Sequence, residues 1–462
     1  PMPPLPPNDT GNPRVASTNP PAASPPSPDT RPKEVPIDKA TAPVVPPNIE
    51  RTDVGPAPAA ADVGEQRVGR WVPDQEVLLR MAAGSADWHR VVPGVAFKSG
   101  DKLLVLPTFR PTVALAAGIS LALVPETLVE FEGVDQGVPV VRLHYGRLVM
   151  MTTGKTNVKV KLAVGPAAGT VVFDDADATV AAEVRPFHMP GNDPEKIEPR
   201  LAIALYGVSG DASWTPARGE TVKIHAPAQL VLAASPTSPA AERELPKWIG
   251  AEPVGPIDAG AAKYLSDALD EQRPVTQALL ELAGHRRQEN RSLAARSLAL
   301  IDEFEPLVSL LSDKDERSVW PIQIESLQAA LARGPAVAAK VRSAFERQRG
   351  KDGADLYRML WGYSKEDLAD GAAAKLVEYL DHDNMDYRVL AFHNLHQIAG
   401  ATFNYRPEQT SASRVQSVRR WREQLKEGLL GSKPAAPPAK LPAGEPTSTK
   451  AVPPPAPVPD AK

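Results

Sequence analysis

The sequence contains no cysteine in 462 residues. Disulfides, iron–sulfur clusters, zinc–thiolate sites and cysteine nucleophiles are thereby excluded. It has no aromatic residue before Trp71 or after Trp421. It has no long apolar run either. The longest, residues 113–124, is twelve residues flanked by Arg110 and Glu126. That is too short to cross a bilayer, and its alternation is that of a strand. Charge of one sign is also missing: the net charge is −4, and residues 71–256 carry 17 basic against 20 acidic side chains, residues 257–430 24 against 26. No region has the basic balance of a nucleic-acid surface, so no nucleic-acid partner is expected.

Proline is abundant, at 51 residues, with 18 of them in residues 1–60 and 10 in residues 432–462. Segments of proline, alanine and serine without aromatics bury too little apolar surface to offset ordering entropy. Residues 1–70 therefore read as a disordered tether and residues 431–462 as a disordered tail. Roughly 360 residues remain to fold, enough for two ordinary domains. The chain begins Pro1-Met2, so processing or an upstream segment is expected, and with it any membrane anchor.

Residues 71–233 alternate. Val129 and Phe131 interleave with Glu130 and Glu132, Val141, Leu143 and Tyr145 with Arg142 and His144, and Val158, Val160 and Leu162 with Lys159 and Lys161. A period of two marks strands with one buried face. Turn signals fall between the runs at Asp135-Gln136-Gly137, Thr153-Gly154, Gly165-Pro166 and Ser209-Gly210-Asp211. The expectation is one antiparallel all-β domain, a sandwich or roll. Residues 234–256 hold five prolines and read as a linker. Residues 257–430 change to a helical period: Phe304, Leu307, Val308 and Leu311 share a face, as do Ala373, Leu376, Val377 and Leu380. Arg291-x-x-Ala294-x-x-x-Leu298 recurs as Arg388-x-x-Ala391-x-x-x-Leu395. A repeat of about 30–35 residues with helix pairs is the pattern of an α-solenoid.

The motifs that could carry chemistry each fail at a named position. Gly154-Lys155-Thr156 resembles a phosphate loop, but Val149 stands where that loop needs its first glycine and a strand follows, so a hairpin turn is expected. Asp381-His382-Asp383-Asn384-Met385-Asp386 resembles a calcium loop, but Met385 and Asp386 occupy the wrong slots; helix capping is the simpler role. Asp174-Asp175-Ala176-Asp177 reads as a solvated turn. His393 and His396 share a helix face with no third ligand in sequence. Arg414, Arg419, Arg420, Arg422 and Lys426 make the last helix basic. No cofactor, metal or catalytic residue is assigned.

The helical segment resembles HEAT-type repeats through Leu376-x-x-x-Leu380-Asp381 and Arg388-x-x-Ala391-x-x-x-Leu395-x-x-Ile398. The resemblance implies that Asp381 caps the second helix of its repeat and that the arginine reaches an aspartate of a neighbouring repeat. Val319-Trp320-Pro321 replaces the arginine region in the repeat between, which should be irregular. The β segment, about 76–230, resembles the FecR-type domain of bacterial envelope proteins. The residues are Gly100-Asp101-Lys102-Leu103, the strand 119–124 ending in Pro125-Glu126-Thr127, and the strand 141–145 ending in Gly146-Arg147-Leu148. A second Gly–acid step, Gly219-Glu220, suggests two related halves. This resemblance implies an extracytoplasmic, membrane-tethered protein with no catalytic activity, a sensor or scaffold for envelope proteins in signal transduction. The solenoid's inner face is the expected partner surface, with His393 and His396, and Arg419, Arg420 and Arg422 nearby. The competing expectation is a carbohydrate-binding or cell-wall-associated module, which needs an exposed row among Trp71, Trp88, Tyr145, Tyr206, Trp214 and Trp248.

The tails should show narrow amide dispersion in an NMR spectrum of the full chain. Strong hydrogen-exchange protection across residues 20–60 would overturn that expectation.

Overall fold

A computed structural model of the chain describes residues 67–72, 76–232, 240–241, 245–251, 254–271 and 273–430. Nearly all of the tether and the whole tail read from composition lie outside the described residues. Strands come first: β1 (Gly69–Trp71), β2 (Leu79–Met81), β3 (His89–Arg90), β4 (Ala96–Phe97), β5 (Lys102–Leu104), β6 (Thr112–Leu115), β7 (Ile119–Leu123), β8 (Leu128–Asp135), β9 (Val138–Thr152), β10 (Val158–Val164), β11 (Ala167–Phe173), β12 (Thr179–Phe187), β13 (Arg200–Ser209), β14 (Asp211–Pro216), β15 (Val222–His225), β16 (Ala228–Val231) and β17 (Ala240–Ala241).

They form two sheets. One runs β4-β1-β6-β7-β9-β12-β13-β16-β17. The other runs β3-β2-β5-β8-β9-β10-β11-β14-β15. The period of two sets their faces. Val129 and Phe131 of β8 are buried while Glu130 and Glu132 turn outward, and Phe131 meets Phe97 of the other sheet with ring centroids 5.5 Å apart. Each such side chain contributes about 1.5–3 kcal/mol by leaving water. The Asp135-Gln136-Gly137 signal is a tight hairpin between β8 and β9, with φ of 52° at Gln136 and 80° at Gly137.

Strand β9 belongs to both sheets. Its first part pairs with β8 and β10, and from Gly146 onward it pairs with β12 and then β7. Gly146 sits at the change of sheet with φ of 96°. A side chain there would meet Thr127: its Cβ would lie 2.6 Å from Thr127 Cα and closer still to Oγ1. Thr127 Oγ1 accepts from the Arg147 N–H at 2.9 Å and donates to the Arg147 carbonyl at 3.0 Å. The bend therefore depends on Gly146 having no side chain and on Thr127 holding the next residue.

The purely antiparallel expectation is corrected at this point. β9 and β10 pair in parallel, Val140 opposite Lys161 through Leu143 opposite Val164. The reason is the bend: the second part of β9 leaves for the other sheet and acts as the crossover that a parallel neighbour requires. Gly154-Lys155-Thr156 accordingly lies in the exposed turn that brings the chain back from β9 to β10, and it is not a hairpin. The proposed second Gly–acid step is also corrected. Asp101 is buried, accepts from the Lys98 N–H at 2.8 Å and pairs with Arg80 at 2.9 Å, whereas Glu220 is exposed. Gly210-Asp211 has the nearer backbone match: a glycine with φ of 62°, then an aspartate opening β14.

A helical region follows. It comprises α1 (Pro256–Ala268), α2 (Val275–Ala283), α3 (Gln288–Leu300), α4 (Glu305–Leu310), α5 (Trp320–Leu331), α6 (Pro335–Arg349), α7 (Gly353–Met359), the short turn α8 (Lys365–Asp367), α9 (Ala373–Tyr379), α10 (Met385–Ala399) and α11 (Ser411–Lys426). The β core continues without a break into Leu265, Val275, Leu279, Leu293 and Leu298. Polar clamps fix the same junction. Arg90 donates to the carbonyls of Ser266 and Leu269 at the end of α1, at 2.6 and 2.9 Å. Arg110 donates to the carbonyls of Trp248, Ile249 and Gly250 at 2.7–2.9 Å. Trp248, from the stretch read as linker, packs edge-on to Tyr206 of β13 at 5.7 Å.

The recurring arginine has one repeated job. Arg291 Nη1 donates to the carbonyls six and five residues before it, His285 and Arg286, at 3.2 and 3.0 Å. Arg388 Nη1 does the same to His382 and Asp383, at 2.6 Å each. Arg414, with buried Ser417 and Trp421 in the small and large positions, bonds the Gln409 carbonyl. Each guanidinium ties the preceding turn to its helix. Of the roles implied by the HEAT resemblance, an arginine reaching an aspartate further along is met by Arg291, which lies 3.5 Å from Asp313, while those of Arg388 and Asp381 are corrected. Arg388 takes carbonyls, including that of Pro407 at 2.8 Å, instead of an aspartate. Asp381 receives Arg414 of α11, at 3.4 Å. The cap of α10 is Asn384, which accepts from the Asp386 N–H at 2.9 Å. Where Trp320 replaces the arginine, its indole N–H donates to the Leu310 carbonyl at 3.2 Å.

Two glycine substitutions test the bend. Gly146→Ala should cost about 3 kcal/mol or more in denaturant unfolding, because backbone strain and collision add. Gly137→Ala has the same backbone strain but open space around it, and should cost about 1 kcal/mol. Equal losses would show that the Thr127 contact does not set the bend.

Candidate functional site

His393 and His396 lie together on one groove. α10 brings them there because 3.6 residues per turn places positions three apart on one face. The opposite wall is α5 with Arg317 just ahead of it, and residues 405–408 close one end. The cavity is about 520 Å³, bordered by Arg317, Trp320, Ile324, Phe392, Tyr405 and Glu408 as well as the histidines. Phe392 is central: its ring is 5.1 Å from Tyr405 and stacks at 6.1 Å on His396. The wall residues are held from behind, since the Tyr405 hydroxyl donates to the Leu380 carbonyl at 2.5 Å.

His393 is neutral at physiological pH. Burial, and then the nearby His396, pull its pKa from 6.5 down to about 4. His396 is exposed and its Nδ1 lies 3.2 Å from the Ala401 carbonyl. Arg317 and Arg406 balance Glu325 and Glu408 among the other lining side chains. The groove is thus aromatic and electrically balanced. Arg419, Arg420 and Arg422 are not brought to it. They lie on the exposed side of α11, and Arg419 pairs with Glu423 one turn on at 3.1 Å.

The remaining motifs have structural partners. Asp174 receives Lys223 at 2.9 Å and Asp175 accepts from the Asp211 N–H at 2.8 Å. Asp386 is buried against Arg349, and burial pushes its carboxyl up while Arg349 opposes the rise. Among the described residues no three His, Asp or Glu side chains converge as metal ligands, and no helix is long and apolar enough to cross a membrane. Of the six rings that a glycan face would need, Trp71, Tyr206 and Trp214 are buried and Trp88, Tyr145 and Trp248 half-buried, so they present no exposed row.

One feature escaped the sequence. The two turns of the FecR-like pattern, Pro125-Glu126-Thr127 and Tyr145-Gly146-Arg147, meet at the bend of β9 and face α3 and α5 across a cleft of about 190 Å³. Arg296 of α3 and Arg333 of the turn after α5 complete it. They lie some 150 residues or more from the turns in sequence, and no local period relates residues so far apart.

No family model matches the chain, and no curated protein matches it. A solved structure from Parabacteroides distasonis, described as that of a candidate anti-sigma factor, is similar over 30% of this chain at 10% identity with a TM-score of 0.22. The match spans 57% of that protein's length. A likeness at that level carries no argument about fold or function.

The titration of His393 can be read directly. Its NMR midpoint should fall near 4. Since the unfolded chain binds that proton at about 6.5, stability is full above pH 6.5 and falls as pH drops toward 4, by up to about 3 kcal/mol. His393→Gln should remove that part of the pH dependence. A midpoint near 6.5 would place the ring in water.

Proposed function

We propose that the chain is a non-enzymatic recognition protein of the bacterial envelope: a FecR-like β domain carrying HEAT-like helical repeats. It would act as a sensor or scaffold for other envelope proteins, possessing the extracytoplasmic part of a FecR-like regulator tethered upstream. The observation that carries the reading is the groove between α5 and α10. It encloses about 520 Å³, is aromatic along its wall and is balanced in charge. Such a groove selects by shape and by burial of apolar side chains, so its occupant is an uncharged, extended segment of a partner protein. The arginine-anchored turns support the repeat reading, because each one fixes the entry of a helix in the same way. The buried Asp101 and the sheet-changing Gly146 give the FecR-like motif positions mechanical roles. The buried and half-buried rings of the β part weigh against the glycan-binding alternative.

Gln397 borders the groove and is exposed; Gln416 is exposed on α11 and borders no part of it. A photo-crosslinking residue at position 397, in cells of the source organism, should give one discrete protein adduct that the same residue at 416 does not give. Phe392→Ala should diminish that adduct about tenfold while leaving the helical circular dichroism unchanged. Equal labelling from both positions would sink the reading.

A further inference from the structure

The cleft at the bend of β9 has a charge pattern that the protein-recognition reading leaves unused. Four arginines border it: Arg147 and Arg185 from the β part, Arg296 from α3, and Arg333 just beyond α5. Two carboxylates, Glu126 and Glu183, border it with them. Glu126 pairs with Arg296 at 2.5 Å, and Glu183 with Arg147 at 2.8 Å. Arg333 and Arg185 have no carboxylate inside the cleft, and of these only Arg185 has none outside it either. Arg333 is about one-tenth exposed. It donates to the carbonyls of Leu300 and Ala299, at 3.0 and 2.7 Å, pairs with Asp302 behind the cleft at 3.2 Å, and lies 5.9 Å from the centre of the Tyr145 ring. The Arg185 side chain, on a strand whose backbone pairs with β13, has no hydrogen bond or ion pair among the described residues.

The donors are not all used. The Nε atoms of Arg296 and Arg333 are both buried without a hydrogen-bond partner. A buried guanidinium N–H left unpaired is costly, more so than a neutral one. Both atoms belong to side chains that line the cavity, and with Arg185 as the one guanidinium around it that has no carboxylate partner, an acceptor there would be favoured. The cavity's 190 Å³ is the share of about six water molecules in the liquid. It therefore suits a small molecule and not a peptide or a glycan chain.

We infer that this cleft binds a compact oxyanion, a small molecule carrying phosphate or carboxylate groups, between the β part and helices α3 and α5. Guanidinium groups match the planar and tetrahedral oxygens of such anions. The ligand would touch Arg147 and Arg185 on one side and Arg296 and Arg333 on the other, and so would strengthen the junction of the two parts. Glu126 sits at a left-handed backbone position, φ 61°, and occupies Arg296 when the cleft is empty of ligand. It acts as an internal competitor.

The experiment uses the full chain, with inorganic phosphate and succinate as separate probes and sodium chloride at matched ionic strength as the control. One or both probes should raise the thermal unfolding midpoint above the chloride control, in a saturable way, and which one does so tells phosphate from carboxylate ligands. Arg185→Gln should weaken the saturating concentration about tenfold. Glu126→Gln should shift it the other way, severalfold tighter, because it frees the Arg296 guanidinium. Opposite signs from two conservative changes cannot come from general salt stabilisation. Binding by neither probe, or a response unchanged in both variants, overturns the inference. Neither result touches the α5–α10 groove, whose crosslinking test stands separately.

Discussion

Strand β9 has to serve two sheets, and the contact that permits this is the seat of Gly146 against Thr127. Once residue 146 has no side chain, the backbone can take a positive φ, and Thr127 can close on the N–H and carbonyl of Arg147. Much else follows geometrically. The second part of β9 pairs with β7 and β12, so it no longer occupies the sheet it left, and β10 can lie parallel to the first part. The turn at Glu126 is carried to the same place because Thr127 is its neighbour in sequence. The side chains on either side of the bend, Tyr145 and Arg147, then face the helices.

The helical region solves a different problem with a recurring device. Short helices leave carbonyls and N–H groups unpaired at each end, and turns between them have few bonds of their own. An arginine in the first turn reaches back to the carbonyls of the preceding turn, so one side chain locks the angle of entry. Its remaining donors reach forward: Arg291 to buried Glu316, Arg388 to the Pro407 carbonyl. Burial raises the Glu316 carboxyl and Arg291 opposes it, so removing the arginine would leave an acid in a dry site. Coupling between successive turns therefore runs through charged hydrogen bonds laid over an apolar core, and the apolar core supplies most of the energy.

The order of a β part and then a helical part was legible in the sequence because each period reports burial on one face, and burial is what residues such as Phe131 and Leu298 experience. The tight hairpin at Gln136-Gly137 was legible from two residues. The parallel pairing of β10 was not, because it depends on where β9 goes after Gly146, and a glycine inside an alternating run does not announce a change of sheet. His393 and His396 were placed on one face correctly by helical spacing, but the opposite wall, Arg317 to Glu325, lies about 70 residues away. The arginine repeat was legible as a spacing. Its partners were not, since backbone carbonyls leave no trace in side-chain identity.

The junction between the two parts combines two kinds of contact with different consequences. The apolar cluster that runs from the sheets into α1, α2 and α3 is nondirectional and holds the parts together. The charged groups around the β9 bend add little to that attraction, because removing guanidinium and carboxylate groups from water costs about as much as their pairing returns. Their contribution is orientation. Arg296 meets Glu126, Arg333 meets the end of α3 and the Tyr145 face, and Arg90 meets the end of α1. Each contact has a direction, and together they define one angle between sheet and helices. A cleft bounded by such contacts keeps its shape without being filled, which is the condition under which a small charged ligand can be selected by geometry.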